Sequence, residues 1–216
     1  MSKEKLLLVV GDKNYSSWSM RPWLALRAAG LPFKEEQVLL DFPNTSERIH
    51  KFSPAGRVPV LHHGKLRVWD SLAICEYAAE ISDYKLWPEK KEARAHARCV
   101  VAEMHSGFGT LRDQLSMDIR LRVTKGHLLP GTIKDIQRII HIWQDCIKSY
   151  KGPFLFGKKF TIADAFYTPV VMRFNSYGIQ IKTKEANQYM KAILKYPHVQ
   201  EWMAAALVEK NAEHSF

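Results

Sequence analysis

The apolar and polar positions of the first eighty residues change period repeatedly. Lys5–Val10 is a short apolar run rich in β-formers, closed by Gly11, Asp12 and Asn14, and reads as a strand. From about Ser17 to Ala29 the apolar residues Trp18, Trp23, Leu24, Leu26 and Ala28 fit a helix, ended by Gly30 with Pro32 beyond it. Pro22 suits such a helix in its first turn, where its missing N–H costs nothing, so a cap is expected near Ser19, with Ser17 as the other start. Glu36–Leu40 reads as a second strand, and a polar stretch with Pro43 and Asn44 leads into a short helix ending at about Lys51. Val58–Leu61 and Leu66–Trp69 are strands on either side of a tight turn at His63-Gly64. Ser71–Ser82 is a helix entered through Asp70-Ser71, which makes the order β-α-β-(α)-β-β-α.

Past Leu86-Trp87-Pro88 the period is helical throughout. Glu89–Ser116 forms one long helical pattern, and Ile133–Tyr150, Ile162–Tyr177, Glu185–Leu194 and Val199–Leu207 continue it without a strand signal. The expected fold class is therefore an α/β unit over 1–84 followed by an all-α unit over 90–216, with the boundary near 83–90.

Composition narrows the classes. The chain has 216 residues, 46% of them hydrophobic and 25% charged, an ordinary globular balance. No apolar run approaches the roughly 20 residues that span a bilayer, and Leu6–Val10 is too short for a leader core, so no membrane and a cytoplasmic setting are expected. Cys75, Cys99 and Cys146 are odd in number and widely spaced, which gives neither a CxxC pair nor a metal knuckle; buried free thiols and no metal are expected. The net charge of +10 is concentrated after residue 85, but the basic residues are scattered, without the dense basic runs and interleaved aromatics of a nucleic-acid groove, and no nucleic-acid partner is expected.

Three segments of the first unit carry candidate chemistry. Tyr15-Ser16-Ser17-Trp18-Ser19-Met20-Arg21 places hydroxyls at a helix start, where unsatisfied N–H groups and the helix dipole favour an anion; the same serines also suit plain capping. In Ser53-Pro54-Ala55-Gly56-Arg57-Val58-Pro59-Val60-Leu61, Pro59 opens a strand, and a cis Val58–Pro59 bond would turn the Val58 N–H and C=O outward to an extended peptide ligand. Trp69-Asp70-Ser71 begins a helix at which a carboxylate would meet N–H groups and a hydroxyl while Asp70 pairs with an ammonium, the two ends of an amino-acid zwitterion.

In this order and spacing the three segments resemble the glutathione transferase family, a thioredoxin-like domain followed by an all-helical domain. Ser16-Ser17-Trp18-Ser19-Met20-Arg21 is similar to the S-S-C-S-x-R signature of the zeta class, Phe160-Thr161-Ile162-Ala163-Asp164 to the family's buried capping-box helix, and Glu103-Met104-His105-Ser106-Gly107-Phe108 to a stretch of related bacterial transferases. Trp18 occupies the place of the zeta cysteine, which speaks against a maleylacetoacetate isomerase, and Ser16 stands where omega-type members carry a reactive cysteine, which speaks against mixed-disulfide chemistry.

The resemblance implies glutathione as co-substrate, a small electrophile as acceptor and a homodimer. It makes Ser16 the donor to the glutathione sulfur, with Ser17 the second choice, and Val58 and Pro59 the grip on its backbone. Asp70 and Ser71 would hold the γ-glutamyl end, Asn44 would reach the glycyl end, and Tyr15, Trp18, Met104, His105, Phe108 and Arg112 would line the electrophile pocket. Arg21 is expected to be structural, paired behind the site. A non-catalytic ligand binder, or a glutathione-dependent isomerase or peroxidase, would use the same scaffold.

Overall fold

A small sheet organises the first part of the chain. The structure, a computed structural model, describes residues 5–40, 42–82 and 86–209. Strands β1 (Leu6–Val10), β2 (Phe33–Gln37), β3 (Val60–His63) and β4 (Leu66–Val68) lie in the order β2-β1-β3-β4. β1 runs parallel to β2, with Leu6 opposite Phe33, and antiparallel to β3, with Leu6 opposite His63. β3 and β4 close as a hairpin, Leu61 opposite Val68, through a turn where Gly64 takes a φ of 58° that a side chain would resist.

The central strand is apolar on both faces because both are covered. Leu6, Leu8 and Val10 join the main core, and Val9 joins Val38, Ile49 and Val60 in a smaller cluster on the other side, the two-residue alternation of a strand. Helices α1 (Ser17–Ala28) and α3 (Ser71–Ile81) supply Trp23, Leu24, Ile74 and Cys75 to the main core, and α2 (Thr45–Phe52) supplies Ile49 to the smaller one.

Three expectations shift. β2 starts at Phe33 rather than Glu36, because the parallel register with β1 begins there; Lys34 and Glu35 are exposed on the sheet's edge, so hydropathy hides them. α1 starts at Ser17, capped by Ser16, not near Ser19. Ser19 instead accepts the Gly11 N–H at 3.0 Å, tying β1 to α1, and Pro22 sits in the second turn. The long pattern from Glu89 to Ser116 is broken into α4 (Lys91–Ser106) and α5 (Gly109–Gln114), since Phe108 adopts a left-handed backbone with φ of 63°. The expected boundary at 84 lies outside the described residues.

The rest is helical: α6 (Pro130–Tyr150), α7 (Ile162–Ser176), α8 (Lys184–Lys195) and α9 (Pro197–Val208). Among the described residues after 85 the single β pairing is the isolated bridge between Phe154 and Gly157, and no helix is long and apolar enough to cross a membrane. α7 is buried along almost its whole length and packs against α1 and α4, so it forms the spine between the two parts. Its start is fixed by Asp164, whose carboxylate accepts from the Thr161 N–H (2.8 Å), the Thr161 hydroxyl (2.9 Å) and the Leu155 N–H (2.9 Å). Burial pushes its carboxyl up to about 6 against those bonds. Cys75 and Cys146 are buried thiols whose pKa burial raises, whereas Cys99 is exposed, contrary to expectation.

The last helix returns to the first loop. Glu209, just after α9, accepts from the N–H groups of Lys13 (2.7 Å) and Asn14 (3.1 Å), and Trp202 donates to the Lys13 carbonyl at 2.9 Å. Asn14 in turn bonds Asp118 and the Arg120 N–H at 2.9 and 3.0 Å.

Replacing Asp164 with alanine strands buried N–H donors at a cost of about 1–3 kcal/mol each, so a loss of about 3 kcal/mol and a fall of roughly 6–12 °C in melting temperature are expected. Thermal unfolding followed by circular dichroism checks this; a fall of under 2 °C would contradict the role given to Asp164.

Candidate functional site

A cleft of about 500 Å³ opens at the edge of the sheet where β3 and α3 begin. Its lining comes from the segment Ala55, Arg57, Val58 and Pro59 before β3, from Trp69, Asp70 and Ser71 at the start of α3, and from Trp18 of α1. The Val58–Pro59 peptide is cis, and Pro59 stands immediately before β3, where its lack of an N–H breaks no ladder bond. Val58 lines the cleft and takes part in none of the backbone hydrogen bonds found among the described residues outside regular elements.

The α3 part of the lining is a helix start. Asp70 caps α3, its Oδ1 accepting from the Leu72 N–H at 2.7 Å. Its Oδ2 lies 3.3 Å from Nε2 of His105 on α4. Ser71 is 1% exposed, and its hydroxyl has no hydrogen-bond partner among the described residues. A buried hydroxyl without a partner costs of order 1–3 kcal/mol. Here it lies on the cleft wall beside the positive end of α3, where an incoming carboxylate would satisfy it.

The serines at the start of α1 are already engaged. Ser16 Oγ accepts from the Ser19 N–H at 3.3 Å, and its hydroxyl donates to Ser19 Oγ at 2.7 Å, a buried pair. Ser17 accepts from Nη2 of Arg173 on α7 at 3.4 Å. A hydroxyl carries one proton and two lone pairs, so Ser16, whose proton is on Ser19, must turn it away to donate elsewhere, while Ser17 is engaged here as an acceptor. Neither serine is among the residues lining the cleft, whose nearest member on α1 is Trp18.

Behind Trp18 lies a group of cations. Arg21 is fully buried, its guanidinium carbon 4.2 Å from the centre of the Trp18 ring and 4.7 Å from that of Phe166. Its three nitrogens have no hydrogen-bond partner among the described residues, so the pairing expected for Arg21 is replaced by stacking on two aromatic faces. Burial holds its pKa well below the ordinary value, and the neighbouring Arg112 and Arg173 push the same way. Arg112 sits 5.1 Å from the Trp18 ring and donates to the carbonyls of Gly107 and Met104. His105 meets Trp18 edge-on at 5.5 Å; burial first, then Arg21 and Arg112, lower its pKa against the opposing Asp70.

Of the residues singled out in the sequence, Trp18, Val58, Pro59, Asp70 and Ser71 share one cleft, and His105 and Arg112 join it through Asp70 and Trp18. Met104 and Phe108 are buried in the main core, and Asn44 stands at the start of α2 without a side-chain cap bond. Neither Asn44 nor Tyr15 lines this cleft. Arg57, Trp69, Phe166 and Arg173 were not singled out. Arg57 and Trp69 lie inside the motifs and their exposure was the missing information, whereas Phe166 and Arg173 reach the site only through the packing of α7 on α1.

Fold and cleft together define a thioredoxin-like sheet domain joined to a helical domain. The description "Glutathione S-transferase, N-terminal domain" matches residues 15–81 and "Glutathione S-transferase, C-terminal domain" matches residues 79–205. The chain belongs to the glutathione S-transferase family. It is similar to "Glutathione S-transferase 1" of Dianthus caryophyllus, 27% identical over 90% of each chain, and to "Probable maleylacetoacetate isomerase" of Caenorhabditis elegans, 24% identical over 84% of each. A glutathione transferase homologue from Burkholderia solved with bound glutathione has the same fold, with a TM-score of 0.72 at 22% identity, over 94% of this chain and 99% of that one.

His105 is expected to titrate below the ordinary imidazole value, because burial outweighs Asp70. Asp70→Asn removes the one influence that raises it, so the midpoint moves lower still. Titration of the imidazole resonances by NMR checks both; a midpoint unchanged or raised in Asp70→Asn would contradict the contact.

Proposed function

We propose that the protein transfers the thiol of glutathione to small electrophiles, with residues 1–84 holding glutathione and residues 90–216 contributing the acceptor pocket. The observation that carries this reading is the pairing, in one cleft, of the Val58 peptide next to cis Pro59 with the Asp70-Ser71 start of α3, where a buried hydroxyl lacks a partner among the described residues. A tripeptide with a zwitterionic end fits both parts of the lining: Val58 pairs with its cysteinyl backbone, Ser71 and the α3 N-terminus take the γ-glutamyl carboxylate, and Asp70 takes the ammonium. Asn44 serves the glycyl end. The glutathione-bound Burkholderia structure supports the placement by its shared fold.

The chemistry follows from the thiol. A free thiol has a pKa of about 8.5 and is mostly protonated at neutral pH. A depression of one or two units, at about 1.4 kcal/mol each, is within reach of one hydroxyl donor and a helix N-terminus. Ser16 is the proposed donor and Ser17 the second choice, both at the positive end of α1. The thiolate attacks the electrophilic carbon, a C–S bond forms, and the displaced electron pair leaves with a halide or moves onto a conjugated carbonyl that is then protonated. A homodimer in the cytoplasm completes the proposal, supported by family membership.

Immobilised glutathione should retain the protein, and Ser71→Ala should weaken binding roughly tenfold. Ser16→Ala should lower kcat with an aryl halide about 10- to 100-fold while changing glutathione affinity less than threefold. Turnover unchanged in Ser16→Ala and lost in Ser17→Ala would move the donor by one residue. No retention, and no thermal shift with millimolar glutathione, would defeat the reading.

A further inference from the structure

Asp70 stands where the two domains meet. Its Oδ1 is spent on the Leu72 N–H at 2.7 Å, while its Oδ2 lies 3.3 Å from Nε2 of His105, which α4 brings across from the helical part. Asp70 also lines the cleft, and its side chain is half exposed, so a ligand in the cleft and the imidazole meet the same carboxylate. A lysine or arginine at position 105 would cancel the charge of Asp70. A neutral imidazole can touch the carboxylate and leave its charge whole.

The surroundings of His105 keep it neutral. Among the described residues the charged groups that act on it are Asp70 of α3, Arg21 of α1 and Arg112 of α5, two cations against one anion. α7 faces it with the uncharged ring of Phe166 at 6.0 Å, and α1 with Trp18 edge-on at 5.5 Å. Its Nδ1 is buried, with no hydrogen-bond partner among the described residues. An imidazolium carries a proton on both nitrogens, so charging His105 would leave a buried N–H with nothing to accept it. Burial, the largest influence, and the two arginines accordingly lower its pKa against the opposing pull of Asp70. The neutral tautomer that suits this setting carries its proton on Nε2, toward Asp70.

We infer that His105 is a positioning residue for the ammonium end of glutathione: as a neutral imidazole it steadies Asp70 from the helical domain, and as an imidazolium it takes the ammonium's place on the same carboxylate. This rests on the reading that glutathione occupies the cleft with its ammonium at Asp70, and adds to it a selectivity for pH that neither domain holds alone. The sign follows from two cations competing for one anion. Above its midpoint His105 is neutral, and Asp70 keeps a full charge for the ammonium. As pH falls through that midpoint, below the ordinary imidazole value of about 6.5, the imidazolium neutralises Asp70 and glutathione binds more weakly. By the reciprocity of linkage, bound glutathione draws the His105 midpoint lower still. Because Asp70 is half exposed, solvent screens the competition and the effect is modest.

The test is calorimetric titration with glutathione and with glutaryl-cysteinyl-glycine, an analogue that keeps the terminal carboxylate and lacks the ammonium. It is run at about pH 7.5 and about pH 5, above the ordinary carboxylate range. The wild type should bind glutathione about three- to tenfold more weakly at the lower pH, while the analogue, with no ammonium to displace, should not weaken. His105→Gln, which keeps an N–H in the place of Nε2 but does not titrate, should lose less than about twofold on acidification. An affinity of the wild type for glutathione that ignores pH would overturn the role, as would an equal acid loss in His105→Gln or for the analogue. So would a His105 imidazole midpoint, followed by NMR, that stays in place on saturation with glutathione; this measurement carries the test should the variant fail to fold. Absence of glutathione binding at either pH removes the transferase reading and this role with it, whereas binding that is indifferent to His105 removes this role alone.

Discussion

Helix α1 is buried from both sides, and everything else is arranged around that constraint. Its first turns touch α3 and the sheet on one flank and α7 on the other, so nine of its residues, from Ser17 to Leu26, are out of solvent. A helix in that position cannot shed its polar groups into water. Ser16 therefore donates to Ser19, Ser19 also accepts from the Gly11 N–H, Ser17 accepts from Arg173, and Arg21 is left to stack on Trp18 and Phe166. The site is the place where the packing of two domains leaves polar groups over.

The two domains contribute unlike things. The sheet domain offers backbone: a peptide edge at Val58 and a helix start at Asp70-Ser71, both fixed by the register of β3 and the cap of α3. The helical domain offers side chains, His105, Arg112, Phe166 and Arg173, whose positions depend on how α4, α5 and α7 lie against α1. Surfaces of the first kind suit peptide ligands, and those of the second suit small organic molecules.

Much of this was legible in the sequence because it is local. The cap at Asp70, the capping box of Thr161 and Asp164, and the proline opening β3 are short-range devices with their own residue signatures. β2 was misplaced because its first residues, Phe33 to Glu35, are set by pairing with β1 and not by their own hydropathy. The break at Gly107-Phe108 was missed because a phenylalanine in a left-handed backbone follows from tertiary packing. The settings of Arg21 and Arg173 were invisible for the same reason: a lone arginine on a helical period gives no sign that it stacks on aromatic rings, as Arg21 does, or that it reaches a serine on another helix, as Arg173 does.

Glu209 bonds the N–H groups of Lys13 and Asn14, and Asn14 bonds the segment at Asp118 to Arg120. The loop that delivers the chain from β1 into α1 is thereby clamped by residues from the middle and the far end of the sequence. The path of that loop therefore rests on contacts that exist only in the assembled tertiary structure, with the last helix in place.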